Sequence, residues 1–228
     1  MSGLTILFDL DGTLTDSRAG ITASLRHALE RLGRVCPDDA VLATYIGPPL
    51  RGTLSTLLGT SDPALVETAL GHYRARYDEV GLFENAVYDG VPEMLEGAAR
   101  LAGTMLVATA KTRHAATRIV IHFELARHFQ AVYGAEPGGR FDRKVDLLGH
   151  LIETGVIRAE TSVMVGDRDL DIAAARAHGI RSIGALWGFG DRRELTDAGV
   201  DHLCESPRAL VACLARLDSA SHRSAPHD

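Results

Sequence analysis

Leu4-Thr5-Ile6-Leu7-Phe8-Asp9-Leu10-Asp11-Gly12-Thr13 is the stretch whose reading decides the fold. A run too short and too apolar for a surface helix stops abruptly at two acids and a glycine, which is how a strand buried on both faces meets its loop. Side chains two apart on an extended chain point the same way, so Asp9 and Asp11 project together from the strand's carboxyl end. Open α/β sheets bind their ligands there. The competing reading is a solvated Asp-Gly turn. A calcium loop is disfavoured, because its sixth position needs glycine and Leu14 stands there.

Outward from that strand, further short apolar runs at 104–109, 129–133, 162–165 and 182–186 each precede a helical pattern, with a weaker edge candidate at 200–204. Strands alternating with helices predict an α/β fold with a parallel sheet covered on both faces. The first two strands are far further apart than one crossover helix requires, so the spacing predicts an insertion. Its pattern is helical: Ile21, Leu25, Ala28, Leu29 and Leu32 share one face, with Ser17 as the expected cap and Gly33 as the stop. Further helices are expected near 38–45, 49–58 and 63–80, and, after the insertion, at 91–101 and 112–122. The expected organisation is a core of residues 1–15 and 85–218, a helical cap domain at 16–84, and a frayed polar tail at 219–228.

The composition narrows the chemistry. With 228 residues, 46% hydrophobic and 24% charged, the chain can bury a sizeable core. A net charge of -6 supplies no basic footprint for a nucleic acid polymer or an anionic membrane. An anionic substrate then needs local help from a metal or from individual cations. Three cysteines, Cys36, Cys204 and Cys213, show no paired spacing, which argues against a disulfide framework or a zinc knuckle. The N-terminal residues lack a basic n-region and reach two aspartates after one short apolar run, so a cytoplasmic protein is expected.

Two like charges as close as Asp9 and Asp11 repel, and hard oxygen ligands favour Mg2+. A second acidic cluster, Gly166-Asp167-Arg168-Asp169-Leu170-Asp171, follows the 162–165 run and opens a helix. Asp167, on the turn, is within reach of the same cation. Asp171, four residues on, is suited to bonding a metal-bound water, and Asp169 points elsewhere. First-turn acids that merely complement the helix dipole are the competing reading. Thr109 ends the second strand in Val107-Ala108-Thr109-Ala110-Lys111; its hydroxyl and the following backbone N–H, that of Ala110, are suitable donors to a phosphoryl oxygen, although a lone threonine there is often a helix cap. Lys144 precedes an apolar helical stretch and can supply positive charge, with neighbouring Arg143 competing for the role. In the insertion, Arg51 follows Gly47-Pro48-Pro49-Leu50 and is a candidate for meeting a substrate carboxylate or second phosphate, against the plainer reading of a surface arginine.

Taken together, DLDGT, VATAK, the lysine of RKVD and GDRDLD, spread over nearly the whole chain in that order, resemble the haloacid dehalogenase superfamily. The match is closest to its phosphoglycolate phosphatase-like branch, whose helical cap is inserted after the first motif. The Gly47-Pro48-Pro49-Leu50 stretch and the segment from Gly184 to Gly190 are similar to that branch as well. The resemblance implies a Rossmann-like sheet and a phosphatase. Residue by residue it implies Asp9 as nucleophile and Asp11 as general acid and base. It implies a magnesium site made by Asp9, the Asp11 backbone carbonyl and Asp167, with Thr109 and Lys144 on the phosphate and Asp171 in the outer shell. One departure stands out: Arg168 occupies a position where the family often has serine.

The implied partner is a small phosphate ester, and the implied assembly a monomer or small homo-oligomer. An acid at Asp11 argues against dehalogenation, since a halide leaves without a proton. A phosphohexose mutase is the nearer enzymatic rival because it uses the same two aspartates. A non-catalytic phosphate or metal binder is the rival from another class, and the retention of both aspartates counts against it.

Overall fold

The computed structural model describes residues 3–223, with side-chain environments as far as residue 217. Strand β1 (Leu4–Phe8) leads through a short β2 (Thr15–Asp16) into helices α1 (Arg18–Arg31), α2 (Asp39–Ala43), α3 (Leu50–Leu58) and α4 (Pro63–Arg76). One π-helical turn, Tyr77–Gly81, follows, and β3 (Ala86–Val87) then brings the chain back. The remainder alternates: α5 (Val91–Ala99), β4 (Ala102–Thr112), α6 (Arg113–His122), β5 (Ala131–Ala135), α7 (Lys144–Glu153), β6 (Ser162–Gly166), α8 (Asp169–Ala177), β7 (Arg181–Ala185), α9 (Arg192–Asp197), β8 (His202–Cys204) and α10 (Pro207–Arg223).

Six strands form one sheet in the order β5-β4-β1-β6-β7-β8, every neighbouring pair parallel. This is the Rossmann-like α/β fold expected from the sequence. Strand β1 is central, flanked by β4 on one side and β6 on the other, and the chain runs outward from it in both directions. The carboxyl ends of β1, β4 and β6 therefore meet at the switch point where such sheets bind ligands.

Alternation along β1 explains the two-sided burial. Ile6 and Phe8 enter one apolar cluster with Met94, Leu95, Leu210 and Leu214 of α5 and α10. Leu7 enters the other with Leu147, Leu148 and Leu151 of α7 and Ala174 and Ala175 of α8. All three β1 side chains are fully buried, each stabilising the fold by roughly 1.5–3 kcal/mol. Within the inserted helices Leu25, Leu29, Leu42, Leu54 and Leu70 are inaccessible or nearly so; of the stripe anticipated for α1, Ile21, Leu25, Ala28 and Leu29 are buried and Leu32, just past the helix end, is half-buried.

Several details depart from the sequence expectations. Ser17 sits at the N-cap of α1, but its side chain makes no capping bond; the Arg18 N–H donates instead to Asp16 Oδ1 at 3.1 Å. The third core strand begins at Ala131, because residues 126–128 form a 3-10 turn that Phe129 closes. The pairing of β2 with β3 was not expected, as two residues a side carry no periodic signal. Helix α10 continues to Arg223, five residues into the anticipated tail, and 224–228 lie outside the described residues. The three cysteines are free thiols. Among the described residues no helix is long and apolar enough to cross a membrane.

Candidate active site

Asp9 is the first residue beyond β1, and its N–H donates to the Val165 carbonyl at 2.9 Å, so the strand's own pairing sets its position. It is buried, 8% exposed. Lys144 Nζ lies 3.0 Å from Asp9 Oδ1, outside hydrogen-bond geometry, which leaves that oxygen buried without a donor. Lys144 opens α7 and is itself buried. Its ammonium donates to Asp171 Oδ1. Burial would lower the Lys144 ammonium, but the Asp171 and Asp9 carboxylates outweigh it and hold the group up at about 12. Arg143, the rival for this role, is turned outward, 71% exposed and 3.8 Å from Asp146.

Asp167 follows β6 and is fully buried. Thr13 Oγ1 donates to its Oδ1 and the Phe189 N–H to its Oδ2, both at 2.9 Å. Gly12 makes that approach possible: at φ +83° a side-chain carbon there would stand 2.0 Å from Asp167 Oδ2. Burial, then the charges of Asp171 and Asp9, push the Asp167 carboxyl well up. Asp171, in the first turn of α8, accepts from Lys144 and, at 3.0 Å, from the Arg168 N–H. Burial raises its carboxyl to about 6 against the opposing pull of Lys144. Asp169 is exposed, as expected.

Each of Asp9, Asp167 and Asp171 offers a carboxylate oxygen within 4.8 Å of the other two. Three buried acids facing one lysine carry uncompensated negative charge, and Asp9 Oδ1 and Asp11 Oδ1 are buried without a donor. A hard divalent cation fits that donor set. Asp171 is closer to this cluster than an outer-shell role suggests, but Lys144 and the Arg168 N–H already engage its two oxygens.

Thr109 is buried, and its Oγ1 accepts from the Lys111 N–H at 3.2 Å. The expected strand-to-helix turn at Thr109 and Ala110 is not what the chain builds. Strand β4 continues to Thr112, whose own hydroxyl caps α6 by accepting from the Ala115 N–H at 3.3 Å. Ala108 pairs with Tyr133 and Thr112 with Ala135, so β4 takes four steps where β5 takes two. The three residues between, Thr109, Ala110 and Lys111, stand against the single Gly134, bulge out of the sheet and line the cavity beside Asp9. The backbone is close enough that a side chain on Gly134 would stand 2.4 Å from the Lys111 carbonyl oxygen.

The bulge brings in a residue that the sequence reading did not single out. Lys111 Nζ lies 2.9 Å from Asp11 Oδ2 and donates to the Tyr77 hydroxyl of the inserted segment, 4.5 Å from the centre of the Tyr77 ring. The available signal was the lysine ending VATAK, one charge at the end of an apolar strand. Arg51 is also placed differently. Its Nε bonds Glu67 Oε1 at 2.6 Å and its guanidinium meets Asp142 Oδ2 at 3.1 Å, so it ties α3 to α4 and to the loop before α7. It lines the cavity with its charge already paired by the protein.

That cavity measures about 1230 Å³ and extends from Asp9, Asp11, Thr109 and Lys144 to Tyr45, Pro48 and Tyr73 of the insertion. Residues 6–185 match the sequence model of the haloacid dehalogenase-like hydrolases. The chain belongs to that family. The 5'-nucleotidase of Pseudomonas aeruginosa is 44% identical over 205 residues, covering 90% of this chain and 92% of its own. The tyrosine-protein kinase PtkA of Mycobacterium tuberculosis is 41% identical over 187 residues, covering 81% of this chain, and the match spans 62% of that protein. A crystal structure of a predicted phosphatase from Clostridium acetobutylicum superposes with a TM-score of 0.89 at 32% identity, covering 95% of this chain and all of that one. This haloacid dehalogenase-like hydrolase thus has its four motifs brought together from four separate stretches of chain, at the ends of β1, β4 and β6 and the start of α7.

Proposed function

We propose that this chain is a magnesium-dependent phosphatase acting on a small phosphomonoester through a phosphorylated Asp9, and that a nucleoside monophosphate suits it better than phosphoglycolate. The supporting observation is the buried Asp9 carboxylate, 3.0 Å from Lys144 Nζ, opening on a cavity of about 1230 Å³. That volume exceeds what a two-carbon acid fills and lies above the roughly 300–1,000 Å³ of ordinary ligand pockets. The 44% identity to a protein named 5'-nucleotidase points the same way.

In the first displacement an Asp9 oxygen bonds phosphorus as the ester P–O bond breaks, and Asp11 gives its proton to the departing alkoxide. In the second, Asp11 takes a proton from water as the water oxygen bonds phosphorus, and Asp9 leaves as carboxylate. Lys144 and Thr109 hold the phosphoryl oxygens, and the bulged Ala110 N–H adds a donor. Asp9, Asp167 and the Asp11 backbone carbonyl would hold Mg2+. Bound there, the cation neutralises charge on the transferring group. The inserted helices act as the cap domain that encloses the leaving group, at the boundaries 16–84.

A panel of nucleoside monophosphates, phosphoglycolate and sugar phosphates, assayed with magnesium and with EDTA, tests the reading. Turnover of nucleoside monophosphates that EDTA abolishes and magnesium restores is the expected result. Full activity in metal-free buffer would rule the mechanism out, and preference for phosphoglycolate would overturn the substrate class.

A further inference from the structure

We propose that Arg168 is a strap that holds the inserted helices down over the site, tying the loop that carries Asp167 to the Ile46–Gly47 turn. The positional evidence is direct. Arg168 lies one residue beyond Asp167, and its side chain is only 16% exposed. Its guanidinium bonds in two directions: Nε donates to Glu194 Oε1 of α9 at 2.7 Å, and the terminal NH1 donates to the Ile46 carbonyl in the insertion. Glu194 Oε1 also accepts from the Asp169 N–H at 3.0 Å, so the same carboxylate steadies the loop and the arginine.

The turn that receives the strap is shaped for it. Gly47 has φ +113°, and a side-chain carbon there would come within 3.1 Å of both Arg168 Cγ and NH1. Arg168, Ile46, Gly47 and Pro48 all line the cavity, so the strap closes over the substrate space itself. A serine at 168 has no atom that reaches Ile46, and a lysine has one ammonium where the planar fork serves both partners. Other links between insertion and core are weaker or lie away from this turn: the largely buried Lys111 ammonium bonds the Tyr77 hydroxyl at the π-helical turn. The Arg51–Asp142 pair is about a third exposed on both sides and water screens it. Arg118 bonds the Asp78 carbonyl at 2.8 Å on the side of the π-helical turn.

Arg168 is therefore a positioning residue. Its guanidinium bonds Glu194 and the Ile46 carbonyl rather than Asp9, Asp11 or Asp167, and it sets how firmly the Ile46–Pro49 turn stays seated. Losing a charge-assisted bond to a buried carbonyl corresponds to about a tenfold change in an opening equilibrium.

Hydrogen exchange on the full chain without substrate provides the test. In Arg168→Ser, peptides covering residues 42–52 should exchange about tenfold faster, while those covering β1 and β6 keep their protection. Arg168→Lys should not restore the slow exchange. Should Arg168→Ser fail to fold, Glu194→Gln, which leaves the arginine in place and loosens its anchor, should show the same change to a smaller degree. Unchanged exchange at 42–52 in a folded variant would overturn the proposal. A kinetic arm rests on the phosphatase reading: for a nucleoside monophosphate, KM should rise several-fold in Arg168→Ser with kcat less affected. Absence of any phosphatase activity in the unmodified protein would count against that reading alone, since the exchange result stands independently of it.

Discussion

Lys144 Nζ bridges two carboxylates, 3.0 Å from Asp9 Oδ1 and hydrogen-bonded to Asp171 Oδ1, so one buried cation serves both the end of β1 and the start of α8. Replacing it with methionine leaves Asp9, Asp167 and Asp171 facing one another without a cation. Lys144→Met should lose at least about 10²-fold in kcat. The metal-free protein should lose roughly 3–5 kcal/mol of stability at neutral pH, measured by urea unfolding. A loss under about 1 kcal/mol would mean the lysine does not compensate these charges.

The acids predict a linkage between pH and metal. Asp171 is raised to about 6 and Asp167 is also raised, above the ordinary unfolded value of about 3.9. Folded protein then holds more protons than unfolded protein in that interval. Their contribution is fully present below the unfolded value and is lost as pH rises through the folded values. Metal-free protein should therefore forfeit the Asp171 share between about pH 4 and 6, with the Asp167 share lost as pH rises further, and magnesium should offset the loss at higher pH. The rise in Tm on adding magnesium should be larger at pH 7 than at pH 5. Equal rises at both would contradict a metal bound by Asp167 beside Asp171.

Asp9 and Asp11 should separate by phosphoenzyme chemistry. Asp9→Asn should form no phosphoenzyme detectable by intact mass. Asp11→Asn should slow turnover by about 10²–10⁴-fold for alkyl esters, and much less for an activated aryl phosphate whose leaving group needs no proton. Phosphorylated Asp9→Asn protein, or equal losses for both ester types in Asp11→Asn, would reverse the roles.

Lys111 connects Asp11 to Tyr77, linking the candidate acid and base to the inserted segment. Tyr77→Phe removes the hydroxyl that Lys111 bonds and keeps the ring. The expected cost is about 1 kcal/mol, read as a several-fold fall in kcat/KM without loss of fold by circular dichroism. Full activity in both Tyr77→Phe and Lys111→Met would remove Lys111 from the site's working parts.

Arg51 is paired with Glu67 and Asp142, so its influence on substrate choice should act through the seating of α3. Arg51→Ala and Asp142→Asn should then shift the ranking of phosphomonoesters in parallel, with a stability change no larger than about 1 kcal/mol. A shift seen only in Arg51→Ala would mean that the guanidinium meets the substrate directly.

The local grammar of the chain was enough for the sheet and for the principal acids. Strand β1 was legible to the residue because an apolar run closed by Asp9 admits one reading, and alternation between runs and helical patterns determined a parallel α/β core with helices inserted after β1. Asp9, Asp167 and Lys144 were legible as candidates because each stands beside a strand end or a helix start, where polar groups escape the core. The local pattern left Lys144 and Arg143 as rivals, and the family resemblance alone implied Lys144. Burial separates them physically, since α7 begins with Lys144 facing Asp9 and Arg143 facing solvent. Nor could local pattern show that β4 runs past Thr109, because a bulge is defined by the register of the partner strand. For the same reason Lys111 was not singled out, Arg51 stood between a substrate contact and a surface arginine, and Arg168 read as an unexplained departure. Each is defined by a partner remote in the chain, Asp11, Asp142 or the Ile46 carbonyl, and only the fold brings those pairs within bonding distance.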